Sequence, residues 1–113
     1  MEDNYEAAFE LILHAGNAKS NAMLAIREAR NFHFEEAEKK MQSAEEETVL
    51  AHQTQTELIQ KEAQGERVTV DLIMVHAQDH LNGAMLIMEQ AKEIIHIYRL
   101  LSRTMKEEDL ICM

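Results

Sequence analysis

The near absence of chain-breaking residues is the feature that most restricts how this sequence can fold. Its 113 residues contain no proline and only three glycines, so turns are few and regular segments are long. Aromatic residues make up only 4% of the chain, whereas strands favour aromatic and β-branched residues. Because 46% of the residues are hydrophobic, enough for a packed core, the sequence predicts an all-α protein rather than a sheet fold or a disordered chain.

Three long segments with helical periodicity divide the chain, and they are followed by a charged tail. The predicted helices span about 4–30, 34–63 and 71–105, and 106–113 is expected to fray. The first helix has two rows of apolar residues at helical spacing. One row is Tyr5, Ala8, Ile12, Ala15, Ala22 and Ile26, and the second row is Phe9, Leu13, Gly16 and Met23. Short connections make consecutive helices antiparallel. We therefore predict one domain, 1–113, folded as an up-down-up three-helix bundle.

Two short breaks separate the predicted helices. Asn31 and His33 interrupt the first periodic segment, and Gly65 is suited to ending the second. Thr69 or Asp71 is placed to cap the third helix.

The third predicted helix is apolar around nearly its whole circumference. Residues 72–75, LIMV, point in four directions about 100° apart and are all apolar, and 85–88, MLIM, repeat the pattern. Two neighbouring helices cannot cover every side of such a helix. The surplus apolar surface predicts self-association through the third helix, as a symmetric oligomer.

A polar island interrupts this apolar helix at residues 76–80, HAQDH. His76, Asp79 and His80 are three and four residues apart and so lie along one side. A neutral imidazole can attack phosphorus and hold a phosphoryl group in a labile bond, and Gln78 and His80 could donate hydrogen bonds to the phosphoryl oxygens. The alternative is that both histidines are packing residues and Asp79 faces solvent. The sequence contains no HExxH motif, which argues against a zinc protease. No serine or cysteine lies near the polar island, so acyl transfer is also disfavoured.

Charge and the remaining signals limit the partners and the location. A formal net charge of −10 disfavours nucleic acid and anionic lipid as partners. Neither a signal peptide nor a membrane span of about 20 apolar residues is evident, and the single cysteine, Cys112, cannot form an internal disulfide. We expect a soluble cytoplasmic protein. The other histidines are expected on the surface or in turns: His14, His33, His52 and His96.

Several segments resemble one bacterial family. Residues 75–81, VHAQDHL, look like the signature of the lactose/cellobiose-type IIA proteins of the phosphoenolpyruvate-dependent sugar phosphotransferase system. Residues 14–20, HAGNAKS, resemble the family's first helix, while 34–37, FEEA, and 51–60, AHQTQTELIQ, resemble its second. The similarity covers about 5–101. Asn82 and Gly83 depart from the family's usual apolar and small polar residues at these positions.

The resemblance implies a homotrimer and a phosphotransfer function. His76 falls on the family's phosphorylated histidine, modified at Nε2, which accepts phosphate from the histidine-containing phosphocarrier protein. The phosphate passes to a cysteine of the IIB component, and a β-linked disaccharide such as lactose, cellobiose or a chitobiose is phosphorylated as the membrane component IIC imports it. Asp79 falls on the aspartate that binds one structural Mg²⁺ per trimer. Three converging carboxylates also need such a cation to offset their repulsion.

A second class of function is compatible with the same residues. In that reading the chain is a metal-binding helical scaffold or a regulatory oligomer, and the histidines perform no phosphotransfer.

Overall fold

Three α-helices make up the part of the chain that the computed structural model describes, residues 2–105, with side chains from residue 5 onward. Helix α1 spans Glu2–Arg30, α2 spans Phe34–Ala63 and α3 spans Leu72–Thr104. The prediction of an all-α three-helix fold is confirmed, and each helix begins and ends within two residues of its predicted bounds. The predicted frayed tail 106–113, with Cys112, lies outside the described residues.

The turn between α1 and α2 closes the first helix with a pair of crossed hydrogen bonds. Phe32 N–H donates to the Ala29 carbonyl at 2.9 Å and His33 N–H to the Glu28 carbonyl at 2.9 Å, the pattern of a Schellman motif. Phe32 adopts φ 62°, a left-handed conformation that costs a residue with a side chain about 1–2 kcal/mol. Its ring stacks on that of Phe34 at 5.9 Å, a contact that offsets part of this cost.

The connection between α2 and α3 uses the signals that the sequence contains. Gly65 has φ 91° and donates to the Glu62 carbonyl, while Glu66 donates to the Lys61 carbonyl, so α2 also ends in a Schellman motif. Asp71 then caps α3, accepting a hydrogen bond at Oδ1 from Met74 N–H at 3.0 Å. Of the two predicted caps, the structure selects Asp71 for this role.

Helix α1 occupies the centre of the bundle, because it packs against both α2 and α3 while these two touch each other little. Its buried stripe repeats every three or four residues and is almost entirely alanine: Ala8, Leu11, Ala15, Ala18, Ala22, Ala25 and Ala29. The buried stripe of α3 alternates large and small side chains: Met74, Ala77, Leu81, Ala84, Met88, Ala91 and Ile95. Small residues beside large ones fill a helical core without voids.

Ion pairs join α2 and α3 where these helices face each other. The Arg99 guanidinium lies 2.6 Å from Glu38 Oε1 and also stacks over the Phe34 ring at 5.0 Å. Lys92 lies 3.1 Å from Glu45. These contacts fix the C-terminal half of α3 against the start of α2.

Many large apolar side chains remain exposed on the chain. On α1 they include Tyr5, Phe9, Leu13 and Met23, and on α3 they include Leu72, Val75, Leu86 and Ile97. The second apolar row of α1, apart from the half-buried Gly16, therefore lies on the surface of the chain rather than in its core. The surplus apolar surface expected of α3 is present, whereas the trimer itself stays a prediction.

Candidate functional site

The two histidines of the polar island contact each other on α3. His76 and His80 lie one helical turn apart, close after the Asp71 cap that starts the helix. Their Nε2 atoms are 3.1 Å apart, within hydrogen-bonding distance. The rings meet edge to face, with centroids 4.5 Å apart and planes at 80°. The predicted neighbourhood of His76 and His80 is therefore realised as a direct nitrogen–nitrogen contact.

The environments of the two rings differ sharply. His76 is exposed, whereas His80 is half-buried, and its Nδ1 atom is buried without a hydrogen-bond partner among residues 5–105. His76 borders an open groove of about 620 Å³ whose other walls are Tyr5, Asp71, Leu72 and Ile73. The His76 ring is thus open to solvent in the described chain, whereas the His80 ring is partly covered.

Gln78 is directed toward α2. Its Oε1 atom accepts a hydrogen bond from Gln55 Nε2 at 2.7 Å, and its own Nε2 lies 3.7 Å from the Met74 sulfur. These contacts hold the Gln78 amide between α2 and α3, and none of its described hydrogen bonds reaches the histidine pair. Gln55 was not singled out from the sequence; the family-like segment 51–60 that contains it was the available signal.

An apolar groove begins at this Gln55–Gln78 pair. It measures about 560 Å³ and is lined mainly by apolar side chains from the end of α2, the connection and the start of α3: Leu58, Ile59, Val68, Val70, Met74 and Val75. This groove and the groove that His76 borders are both lined mainly by apolar side chains.

Asp79 is exposed on the side of α3 that faces away from the bundle core. Leu72, Asp79 and Leu86 follow at two-turn intervals and are all exposed, so they form one stripe. Asp79 takes part in none of the ion pairs found among the described residues. Residues 5–105 of one chain contain no cluster of three or more acidic, histidine or cysteine side chains able to hold a metal. At this position one chain therefore offers a single carboxylate. Its oxygens are the type of ligand that a hard cation prefers, but one carboxylate supplies too few ligands to hold such a cation.

The other histidines lie away from this pair. His14 Nδ1 contacts Glu47 Oε2 at 2.6 Å across α1 and α2, and His33 contacts Glu28 at 3.0 Å in the first turn. His52 and His96 are exposed. His33, His52 and His96 lie in a turn or on the surface, as expected, whereas His14 is part-buried between α1 and α2.

Comparison with known proteins decides the family. The family described as "PTS system, Lactose/Cellobiose specific IIA subunit" matches residues 6–99. The chain belongs to this family. The resemblance found in the sequence is confirmed, and the IIA proteins of this phosphotransferase system are phosphotransfer components.

Individual IIA relatives cover most of the chain. The "Lichenan-specific phosphotransferase enzyme IIA component" of Bacillus subtilis is 52% identical over 97 residues, 86% of this chain and 88% of that protein. The "PTS system cellobiose-specific EIIA component" of Lactococcus lactis is 39% identical over 94 residues, 83% of this chain and 81% of that protein. A cellobiose-specific enzyme IIA from Bacillus anthracis, solved by crystallography, has a TM-score of 0.90 and 41% identity, covering 93% of this chain and 96% of that one.

The described helices also bear on the membrane prediction for this IIA protein. None of them, within residues 2–105, combines the length and the hydropathy that a bilayer span requires.

Proposed function

We propose that this chain is a IIA phosphocarrier that takes a phosphoryl group on His76 Nε2 and passes it to the IIB component. The donor is the histidine-containing phosphocarrier protein. The observation that carries the proposal is the exposed His76 ring, whose Nε2 lies 3.1 Å from His80 Nε2 beside an open groove. An exposed imidazole held by a neighbour can meet two partner proteins in turn.

At each step the phosphoryl group passes directly from one side chain to another, so one bond to phosphorus forms as another breaks. The lone pair on His76 Nε2 forms the new N–P bond while the P–N bond of the donor's phosphohistidine breaks, and that electron pair returns to the donor's ring nitrogen. In the second step a cysteine thiolate of IIB forms an S–P bond. The N–P bond then breaks, and its electrons return to Nε2.

His80 and Gln78 have different parts in this proposal. The Nε2 atom of His80 already lies within hydrogen-bonding distance of the reacting nitrogen, so it can donate to a phosphoryl oxygen and stabilise the charge there. Gln78 would have to release Gln55 to do the same. We therefore assign the larger supporting role to His80.

A homotrimer assembled through α3 accounts for the exposed apolar stripe on that helix. Burying Val75 and Leu86 between copies removes large apolar side chains from water. The same stripe brings Asp79 from each copy toward the common axis. One Mg²⁺ bound there by three carboxylates would offset their mutual repulsion and serve structure rather than catalysis.

The substrate and the location follow from the family and the named relatives. Relatives carry names specifying lactose and cellobiose, which are β-linked disaccharides, and lichenan, which is a β-linked glucan. These names support a β-linked disaccharide such as lactose, cellobiose or a chitobiose as the transported sugar. The IIB component couples the IIA protein to the membrane component IIC. A IIA protein in this chain of transfers works in the cytoplasm.

Phosphorylation in a reconstituted system tests the assignment of His76. The full chain is incubated with phosphoenolpyruvate and the two general phosphotransfer proteins, and its intact mass is measured. We expect a gain of one acid-labile, base-stable phosphoryl group that disappears in His76→Ala and persists in the matched control His52→Ala. If no label forms while the donor protein is phosphorylated, the chain is instead a helical scaffold or regulatory oligomer.

Replacement of the axial carboxylate tests the metal and the trimer. Asp79→Leu removes the charge repulsion together with its need for a cation, so sedimentation should still show a trimer, now insensitive to chelators. Dissociation of Asp79→Leu into single chains, with helicity retained, would contradict the proposed role of Asp79.

A further inference from the structure

We propose that His80 sets the tautomer of His76 by donating its Nε2–H to the lone pair on His76 Nε2. His76 then carries its proton on Nδ1, and Nε2 is its nucleophilic nitrogen. The consequence for phosphotransfer rests on the proposed function, whereas the tautomer assignment itself rests on geometry alone.

The first step of the argument is the contact between the rings. Two Nε2 atoms lie 3.1 Å apart, and a hydrogen bond between two neutral imidazoles needs one N–H donor and one lone-pair acceptor. Two protons or two lone pairs facing each other would repel. One ring of the pair therefore carries the proton at Nε2, and the other carries it at Nδ1.

The burial of His80 decides which ring is the donor. Its Nδ1 atom is buried and has no partner within residues 5–105. If Nδ1 held the proton, an N–H group would be orphaned in the interior, and such orphaned donors are rarer in proteins than under-satisfied acceptors. His80 is therefore the Nε2–H form, with a bare lone pair on Nδ1. His76 imposes no opposing constraint, because it is exposed and water can accept from its Nδ1–H.

The arrangement directs phosphorus to one nitrogen of His76. Of the two rings, the exposed His76 has room to turn away when a phosphoryl donor arrives. The half-buried His80 keeps its Nε2–H at the site, where it can donate to a phosphoryl oxygen. His80 is thus a positioning residue that acts on His76 before the reaction begins.

Nitrogen-15 spectroscopy of the full chain tests the assignment directly. Long-range hydrogen–nitrogen correlations of histidine-labelled protein, recorded at a pH of about 8.5, roughly two units above the ordinary pKa of a histidine side chain, distinguish the protonated nitrogen of each ring. We expect Nδ1–H at His76 and Nε2–H at His80. The opposite pattern, Nε2–H at His76, overturns the proposal in the unmodified protein.

Three variants separate tautomer control from mere packing. His80→Leu keeps bulk but removes the donor, so the ratio of Nδ1–H to Nε2–H at His76 should fall about fivefold, the factor that one net hydrogen bond gives. His80→Gln retains an N–H donor and should restore most of the ratio, and the distant control His52→Leu should leave it unchanged. An unchanged ratio in folded His80→Leu, or no recovery in folded His80→Gln, contradicts the proposal.

The phosphorylation assay keeps the two proposals apart. If the tautomers are as expected but His76 accepts no phosphoryl group, the proposed function fails and the tautomer assignment stands. The opposite result is also distinguishable. If His80→Leu accepts a phosphoryl group as fast as the unmodified chain and its His76 ring keeps the same tautomer, the proposed function stands and the role of His80 is refuted.

Discussion

Replacement of Gly83 by alanine measures whether the space beside α3 is open in the folded protein. Gly83 lies inside α3 one turn after Asp79, and among residues 5–105 a methyl group there would meet only the Lys19 ammonium nitrogen, at 3.9 Å. Glycine inside a helix costs about 1 kcal/mol relative to alanine. Because nothing obstructs the added methyl group, Gly83→Ala should raise the free energy of unfolding by about this amount and the Tm by about 4 °C.

Gly16 supplies the matched control for this measurement. It also lies within a helix, α1, and an added methyl group has no neighbour within 4 Å in the described part of the chain, so Gly16→Ala should give a similar gain. Urea unfolding followed by far-ultraviolet circular dichroism, at several protein concentrations, gives both free energies. A loss of stability in Gly83→Ala together with a gain in Gly16→Ala would refute the reasoning, because the space beside Gly83 would then be filled in solution.

Two further pairs of substitutions test the core and the start of α3. Leu11→Ala should lower the free energy of unfolding by about 2–5 kcal/mol, because Leu11 is fully buried. The control Leu13→Ala changes a side chain that is 57% exposed and should lower the free energy of unfolding by less than about 1 kcal/mol. Equal losses of the two variants in urea unfolding would contradict the burial pattern. Asp71→Ala removes the cap of α3 and should lower the free energy of unfolding by about 1 kcal/mol. Asp71→Asn keeps a side-chain oxygen that can cap the helix, so it should retain most of the stability in thermal unfolding. Equal losses in the two variants would exclude the capping role.

The limits of the helices could be predicted because local chemistry decides them. Gly65 accepts a left-handed conformation without strain, and Asp71 can bond a free N–H at a helix start, whatever the rest of the chain does. Phe32 shows the limit of such reasoning. A left-handed phenylalanine is locally unfavourable, and it persists because the turn bonds and the Phe34 ring stabilise it.

The apolar pattern of α1 contains two rows and does not say which of them is buried. Phe9 and Leu13 recur at helical spacing as regularly as the alanines do, yet they are exposed while Leu11 and the alanines are buried. Alanine carries a weak hydrophobic signal, since it has little apolar surface. Its value in the centre of the bundle is its small size, which depends on the side chains facing it from other helices.

The sequence by itself determined the three helices, their limits and the family, because capping residues, periodicity and the HAQDH block are local features. It also determined that His76 and His80 are neighbours, since four residues make one helical turn. Only the tertiary structure decided that Gln78 turns toward Gln55 and that the Nδ1 atom of His80 is buried. Both depend on how α3 lies in the bundle, and burial relative to other helices is a property that no single segment contains.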